Sequence, residues 1–110
     1  MTGLRSRGNN AVAFADGWTT AQSEETRVFK YEYNTNQDPK AGANRNAAVV
    51  NGFYIANTVH DFTYRYGFTE AAFNFQTNNF NKGGSGNDRV MVWAQNSEEW
   101  NNARFITPPE

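Results

Sequence analysis

The chain has 110 residues and a formal net charge of −1, which fits one domain and argues against nucleic acid or an anionic membrane as partner. It contains no cysteine, so disulfides and cysteine-ligated metal sites are excluded. Aromatic residues make up 15% of the sequence and must supply much of the core, because each can bury about 150–250 Å².

The first part of the chain shows two short strand patterns. Residues 11–15 form an apolar run that follows a polar turn cluster. Residues 28–33 alternate apolar and polar side chains, which is the pattern of a strand with one buried face. Residues 34–44 contain several Asn residues together with a Pro and a Gly, and they predict a loop.

The strongest pattern predicts a helix over residues 46–66, where apolar side chains recur at three- and four-residue spacings. Its apolar face is wide, so we expect the helix to be buried on most sides. Asn44 or Asn46 is expected to cap its start, and Gly67 stands where a C′ glycine belongs. Gly52 costs up to ~1 kcal/mol relative to Ala inside a helix, and a small residue there would let another element approach closely.

The last part of the chain returns to short elements. Residues 69–72 predict a short second helix, 74–87 a loop, 89–95 a strand and 103–106 one more short strand that two prolines end. The order of strands, one long helix and further strands predicts an α+β fold. We expect a strand-rich, loop-rich lobe built around one long buried helix.

The sequence contains one histidine, His60, inside the predicted helix. A zinc enzyme usually needs two or three converging His or carboxylate ligands, and the His-Glu-x-x-His pattern is absent. His60 and Asp61 are adjacent, so on a helix they point about 100° apart and are not expected to act as a relay pair. We interpret His60 as a helix residue that a local hydrogen bond satisfies.

Other catalytic patterns are equally weak. No Gly-x-Ser-x-Gly elbow occurs, and Asp61, Glu70 and Asp88 have no spacing that distinguishes them from surface, cap or turn acids. Residues 83–87 resemble a phosphate loop only in glycine content, since no Lys-Ser/Thr and no helix follows. The aromatic residues would suit a sugar-binding platform, but at helix and strand spacings they are more often core. Residue types alone therefore predict no self-contained active site, with no catalytic and no metal-binding residues.

Several unusual runs of residues nevertheless occur in one order with little gap. The longest reads FYIANTVHDFTYRYGFTE and spans residues 53–70. The others are, in chain order, 7–10, 29–33, 74–80, 83–88, 94–96 and 101–109. Together they resemble fungalysin, a family of fungal extracellular zinc metalloproteases, over nearly the whole chain.

The resemblance implies that residues 1–110 are a partial metalloprotease catalytic domain, similar to the N-terminal lobe of thermolysin-like proteases. In the family, a signal peptide and a propeptide come first, and the His-Glu-x-x-His helix and a downstream Glu ligand lie C-terminal to the matched region. Zn²⁺ in such an enzyme polarises the scissile carbonyl and activates water. The resemblance therefore assigns no zinc ligand to this chain and implies that the fragment is inactive alone.

The partners and the location are also implied by the resemblance. The expected partners are a protein or peptide substrate, the C-terminal lobe and the propeptide. No apolar run approaches the ~20 residues of a membrane span, and no signal peptide is visible after Met1, so secretion follows from the family alone.

The stretch Asn101-Asn102-Ala103 resembles the Asn-Ala pair by which thermolysin-like enzymes hold the substrate backbone at a sheet edge. The resemblance implies that Asn102 offers its side-chain amide to the substrate main chain and that Ala103 offers its backbone groups. An unpaired edge can add a peptide without reading its side chains. Arg104 departs from the family, where Asn is more common, and the alternative is that Asn101-Asn102 is merely a turn.

Two other readings of the whole chain stay open. It would be a non-catalytic secreted peptide- or glycan-binding module if exposed aromatic residues such as Trp93 or Trp100 bind a ligand. It would be a poorly folding product of a truncated gene if the helix exposes an apolar face that nothing covers.

Overall fold

The structure is a computed structural model that describes residues 5–23 and 27–109. Its elements are strand β1 (Ala11–Phe14), a 3-10 turn at Asp16–Trp18, helix α1 (Gly42–Arg65), a 3-10 turn at Glu70–Ala72 and strand β2 (Val90–Trp93). This content confirms the mixed α+β class. No helix within residues 5–23 and 27–109 is both long and apolar enough to cross a membrane.

The two strands form a parallel pair, in which Ala11 lies opposite Val90 and Phe14 lies opposite Trp93. Parallel strands need a long crossover, and here the connection contains α1, which packs against both strands. Both strands fall inside the segments predicted at 11–15 and 89–95, so these two predictions are confirmed.

The core between α1 and the sheet is made largely of small side chains. Ala13, Ala15, Ala21 and Val49 are its buried members, and larger residues such as Phe53 pack around them. The alanines allow the helix to lie close to the strands.

Gly52 lies where α1 packs closely against β2. A Cβ atom on Gly52 would lie 2.8 Å from Cγ1 of Val92, a distance that real Cβ contacts do not show. The expectation that this glycine admits a neighbouring element is confirmed, and the element is β2.

The start of α1 differs from the prediction. Its N-cap is Ala41, without a side-chain cap, so neither Asn44 nor Asn46 caps the helix. Asn44 lies inside the first turns and is fully buried. Its Oδ1 accepts from the Asn34 N–H at 2.7 Å and its Nδ2 donates to the Asn34 carbonyl at 2.8 Å. Asn44 therefore fixes the preceding loop to the helix rather than closing the helix itself.

The end of α1 agrees with the prediction. Tyr66 is the C-cap and Gly67 follows with a φ of 102°. The N–H of Gly67 donates to the Tyr64 carbonyl, and the N–H of Phe68 donates to the Thr63 carbonyl. This pair of bonds is the Schellman arrangement, which needs a left-handed residue at C′ and so favours glycine. The short helix predicted at 69–72 is confirmed as the 3-10 turn.

Two predicted strands are not found. Residues 29–33 have no regular secondary structure, with a single bridge residue before them at Val28, and residues 103–106 have none either. A strand pattern becomes a strand only where a partner supplies ladder hydrogen bonds. In segment 29–33, Phe29 and Tyr31 pack on the core instead, and the Tyr31 hydroxyl donates to the Gln22 carbonyl.

The expectation that α1 is buried on most sides is wrong for the described chain. Only Asn44 and Val49 are buried among its residues. Large apolar side chains remain exposed along the C-terminal half of the helix. Four of them follow each other at spacings of four, three and four residues, and we call them the outer stripe: Ile55, Val59, Phe62 and, at the C-cap, Tyr66.

Candidate functional site

The structure places Asn102 and Ala103 on an exposed segment without regular secondary structure. The Asn102 Nδ2 donates to Glu99 Oε2 at 2.9 Å, and its Oδ1 accepts from the Ala103 N–H at 2.8 Å. Glu99 also lies 3.2 Å from the Arg104 guanidinium. Both functional ends of the Asn102 amide are therefore occupied by near neighbours, and so is the Ala103 N–H.

The open backbone edge of the sheet lies on β2. The N–H groups of Val90 and Ala94 donate to the carbonyls of Asn10 and Phe14. Backbone groups alternate in direction along a strand, so the N–H and C=O groups of Met91 and Trp93 point away from β1. No other strand pairs with that side in the part of the chain the structure describes. This open edge lies about ten residues before Asn102, on a strand that the resemblance did not single out, and the edge role of Asn102 and Ala103 stays a prediction.

His60 lies in a polar cluster between α1 and the loop that follows the second 3-10 turn. Its Nδ1 lies 3.0 Å from Asp61 Oδ1, and its Nε2 lies 2.8 Å from Gln76 Oε1. The interpretation of His60 as a residue satisfied by local hydrogen bonds is confirmed. His60 and Asp61 nevertheless contact each other, because side-chain rotation spans the angular offset between neighbouring helix positions. The geometric reason given for expecting no relay pair is therefore wrong.

The same loop is held by a second set of polar contacts. Gln76 is buried, and its Oε1 also accepts from Asn74 Nδ2 at 2.7 Å. The Nε2 of Gln76 donates to the Asn78 carbonyl at 3.0 Å. The amide of Gln76 therefore joins three separate points of the chain, and it fixes the loop against α1.

Glu70 is a buried carboxylate beside this cluster. The Tyr64 hydroxyl lies 2.9 Å from Oε2 and 3.2 Å from Oε1, and Lys82 Nζ lies 3.9 Å from Oε1. The hydrogen bond from its own backbone N–H, followed by the Tyr64 hydroxyl and the Lys82 charge, lowers the pKa of Glu70 even though desolvation opposes the shift. Glu70 is therefore a charged anchor for the chain after α1.

The Asn-rich loop, residues 74–87, forms an open depression of about 630 Å³ that is lined mainly by amide side chains and glycine backbone. Asn79 Nδ2 donates to the carbonyls of Gly83 and Ser85, each at 2.8 Å. Gly84 lies against the Glu70 carbonyl so closely that no Cβ atom fits. The predicted loop at 74–87 is confirmed, and Gly83 and Gly84 allow it to pack closely against the second 3-10 turn.

The residues present do not fit a catalytic zinc ion. No group of three or more His, Asp or Glu side chains converges within residues 5–23 and 27–109. The one histidine has both ring nitrogens within hydrogen-bonding distance of other side chains. A catalytic zinc needs three protein ligands and an open position, so no step of metal chemistry is assigned to these residues.

The polar cluster around His60 was not predicted from the sequence. Its contacts join α1 to residues 14 to 16 positions later, through a loop with no periodic pattern. The available signal was the repeated Asn and Gln between 74 and 79, because amides that anchor a loop recur where the backbone is irregular.

Comparison with known proteins gives a consistent result. The model of the fungalysin metallopeptidase family (M36) matches residues 2–110. Extracellular metalloproteinase 5 of Trichophyton tonsurans is 45% identical over 111 residues, which is 94% of this chain and 18% of that protein. Extracellular metalloproteinase 9 of Uncinocarpus reesii is 45% identical over 112 residues, which is 94% of this chain and 17% of that protein.

A third relative, extracellular metalloproteinase 10 of Coccidioides posadasii, is 43% identical over the same 94% of this chain and 18% of its own length. The chain therefore spans less than a fifth of the length of these relatives. Because the family model covers nearly every residue, the chain belongs to the fungalysin metallopeptidase family.

Proposed function

We propose that this chain is the substrate-aligning part of a secreted zinc metalloendopeptidase and that it does not hydrolyse proteins alone. The observation that carries the proposal is the family match over residues 2–110, together with relatives named extracellular metalloproteinases. The relatives are several times longer, so the hydrolytic centre, the C-terminal lobe and the propeptide would lie in sequence outside this match.

The side chains that could bind a metal or transfer a proton support the proposal that this chain has no catalytic activity alone. A lone histidine held by Asp61 and Gln76 offers no free ring nitrogen for a metal or a substrate. Glu70 is held as a carboxylate by Tyr64 and Lys82. These side chains serve as internal anchors, so the contribution of this lobe to proteolysis would be through binding and positioning.

Asn102 and Ala103 are the residues proposed to hold the substrate backbone. An amide side chain and a backbone N–H suit this role, because they match the hydrogen-bonding groups that every peptide carries. Both groups are now paired within residues 99–103. Substrate binding would therefore exchange the Glu99 contact for one with the peptide main chain.

The first experiment measures hydrolysis of casein by the purified 110-residue chain, with and without a chelator. The expected result is no hydrolysis above the buffer blank. Proteolysis that copurifies with the chain and is abolished by the chelator would overturn the proposal, because it would require a metal site within these residues.

A glycan- or peptide-binding module is the second candidate, and the exposure of Trp100, at 88%, is the observation that favours it. Trp93 is less available, because its indole Nε1 donates to Asp16 Oδ1 at 2.9 Å and its ring stacks with Phe14. Saturable binding to a glycan array that is lost in Trp100→Ala would favour this candidate. If neither the parent chain nor Trp100→Ala binds a glycan, the protease assignment is favoured.

A further inference from the structure

Helix α1 is apolar on more of its circumference than this chain covers. Its N-terminal half packs on the core and the sheet through Val49, Gly52 and Phe53. Its C-terminal half carries the outer stripe, whose members are 50% to 80% exposed. A helix whose apolar surface is this extensive is normally enclosed by protein along its length.

The outer stripe is continuous in space. Positions 55, 59, 62 and 66 stand within about 60° of one another on a helix, and they span about 16 Å along its axis. The Phe62 and Tyr66 rings lie in contact, with centroids 5.1 Å apart. Thr58, Asp61 and Arg65 border the stripe on one side. An apolar patch with a polar rim is typical of a protein–protein contact, and single exposed apolar residues are not.

The sheet has a second apolar surface on its opposite side. Met91 and Trp93 are 56% and 42% exposed on the face of β2 that turns away from α1. The outer stripe and this face are therefore two separate exposed apolar surfaces, one on the helix and one on the sheet. One two-fold contact between copies of this chain can cover one of these surfaces, whereas a longer polypeptide can cover both.

We infer that the outer stripe is the docking surface for the part of the longer metalloproteinase that this chain does not match. The inference rests on the proposed function and on relatives of which this chain covers 17–18%. The occupant is an apolar face of the same polypeptide, which would pack against Val59 and Phe62 near the centre of the stripe.

The test uses two proteins with the same substitutions. The first is the 110-residue chain. The second is a chimera in which this chain replaces the aligned region of extracellular metalloproteinase 5 of Trichophyton tonsurans. Val59→Lys and Phe62→Lys alter the stripe, and Phe80→Lys is the matched control, because Phe80 is 58% exposed and lies in the Asn-rich loop.

The stripe substitutions are expected to act with opposite sign in the two proteins. In the 110-residue chain they lower binding of a hydrophobic dye and reduce aggregation. In the chimera they lower the secreted yield several-fold and lower the melting temperature, because a charge enters a buried contact. Phe80→Lys leaves the yield of the chimera unchanged.

Three results would overturn the inference. The first is a chimera that tolerates both stripe substitutions with unchanged yield and melting temperature. The second is a parent chimera that is not secreted as a folded protein. The third is a 110-residue chain that forms a dimer lost in Val59→Lys while the chimera is unaffected, which would assign the stripe to a second copy.

Proteolytic activity is measured separately. A folded chimera that depends on the stripe but has no activity would contradict the proposed function and leave the docking surface standing.

Discussion

The two halves of α1 differ in what holds them. The N-terminal half meets β1 and β2 through alanines of the core, a buried Val49 and a glycine that admits Val92. The C-terminal half carries larger side chains, among them Ile55 and Phe62, that stay exposed in residues 5–23 and 27–109. The same helical periodicity thus produces a packed half and an exposed half. Hydrophobic pattern alone shows that a face will be buried, and it does not show which part of a protein buries it.

The largest effect is expected where α1 and β2 touch. Gly52→Val places a branched side chain where even a Cβ atom would lie 2.8 Å from Val92 Cγ1. Overpacking of this kind should lower the free energy of unfolding by about 2–3 kcal/mol. Asn51→Val, one position away on the exposed side, should cost less than about 1 kcal/mol. Urea unfolding followed by circular dichroism compares the two, and equal losses would contradict the close contact.

The two halves of α1 are compared most directly by changing the same residue type, valine, in each half. Val49 is fully buried and Val59 is 54% exposed. Val49→Ala should lower the stability of the 110-residue chain by about 2 kcal/mol, because it removes buried methyl groups and leaves a cavity. Val59→Ala should change it by less than about 0.5 kcal/mol. A loss at Val59 as large as that at Val49 would mean that the outer stripe is already covered in this chain.

A pH-dependent effect is expected at the C-terminal end of α1, where the Tyr64 hydroxyl donates to the Glu70 carboxylate. The pKa of Glu70 is lowered from its ordinary value of 4.5, so the folded state favours the carboxylate. This contribution is present above pH 4.5 and is lost as the pH falls through the lowered pKa. Glu70→Gln should therefore lower the melting temperature at pH 7 and should matter less at pH 3.

The control for this prediction is Glu98→Gln, since Glu98 is exposed. Its melting temperature should follow that of the parent at both pH values. A Glu70→Gln variant whose deficit is the same at pH 3 as at pH 7 would show that the charge of Glu70 does not contribute.

The smallest effect is expected far from α1, at Glu99. Glu99→Ala removes the contacts to Asn102 and Arg104, and both are near the surface. Exposed ion pairs contribute about 0–1 kcal/mol, so the stability of the chain should hardly change. In the chimera, Glu99→Ala releases the Asn102 amide from its contact with Glu99. We therefore expect a KM for a peptide substrate that is equal to or lower than that of the parent chimera. A raised KM would show that Glu99 prepares Asn102 for binding and does not compete with the substrate.

The sequence predicted the elements that have their own periodicity. The C-terminal part of α1, the Gly67 end and both strands of the sheet follow from apolar spacing and from backbone chemistry. The helix begins at Gly42, four residues earlier than predicted and inside the predicted loop at 34–44. The predicted strand at 28–33 was wrong, because its alternating side chains pack on the core without a pairing partner. Asn44 was misassigned as a cap because an Asn near a helix start can equally anchor the preceding loop, as it does here.

The candidate site was less accessible to sequence reasoning. The importance of Asn102 and Ala103 comes from the resemblance, and local spacing alone cannot separate a substrate-binding edge from a turn. The His60–Gln76 contact joins positions 16 residues apart through irregular backbone, for which no repeating pattern exists. The fold of this chain is therefore largely readable from hydrophobic pattern, whereas its polar contacts depend on loop geometry.

The central claim is that this chain aligns substrate for a longer metalloproteinase. The most direct measurement is kcat/KM for a peptide substrate in the chimera with extracellular metalloproteinase 5, for the parent, for Asn102→Ala and for the exposed control Gln37→Ala. We expect chelator-sensitive hydrolysis by the parent and by Gln37→Ala. We also expect about a tenfold or greater loss of kcat/KM in Asn102→Ala at an unchanged melting temperature. Equal kcat/KM values for all three proteins would contradict the role of Asn102, and a folded parent chimera without activity would contradict the claim itself.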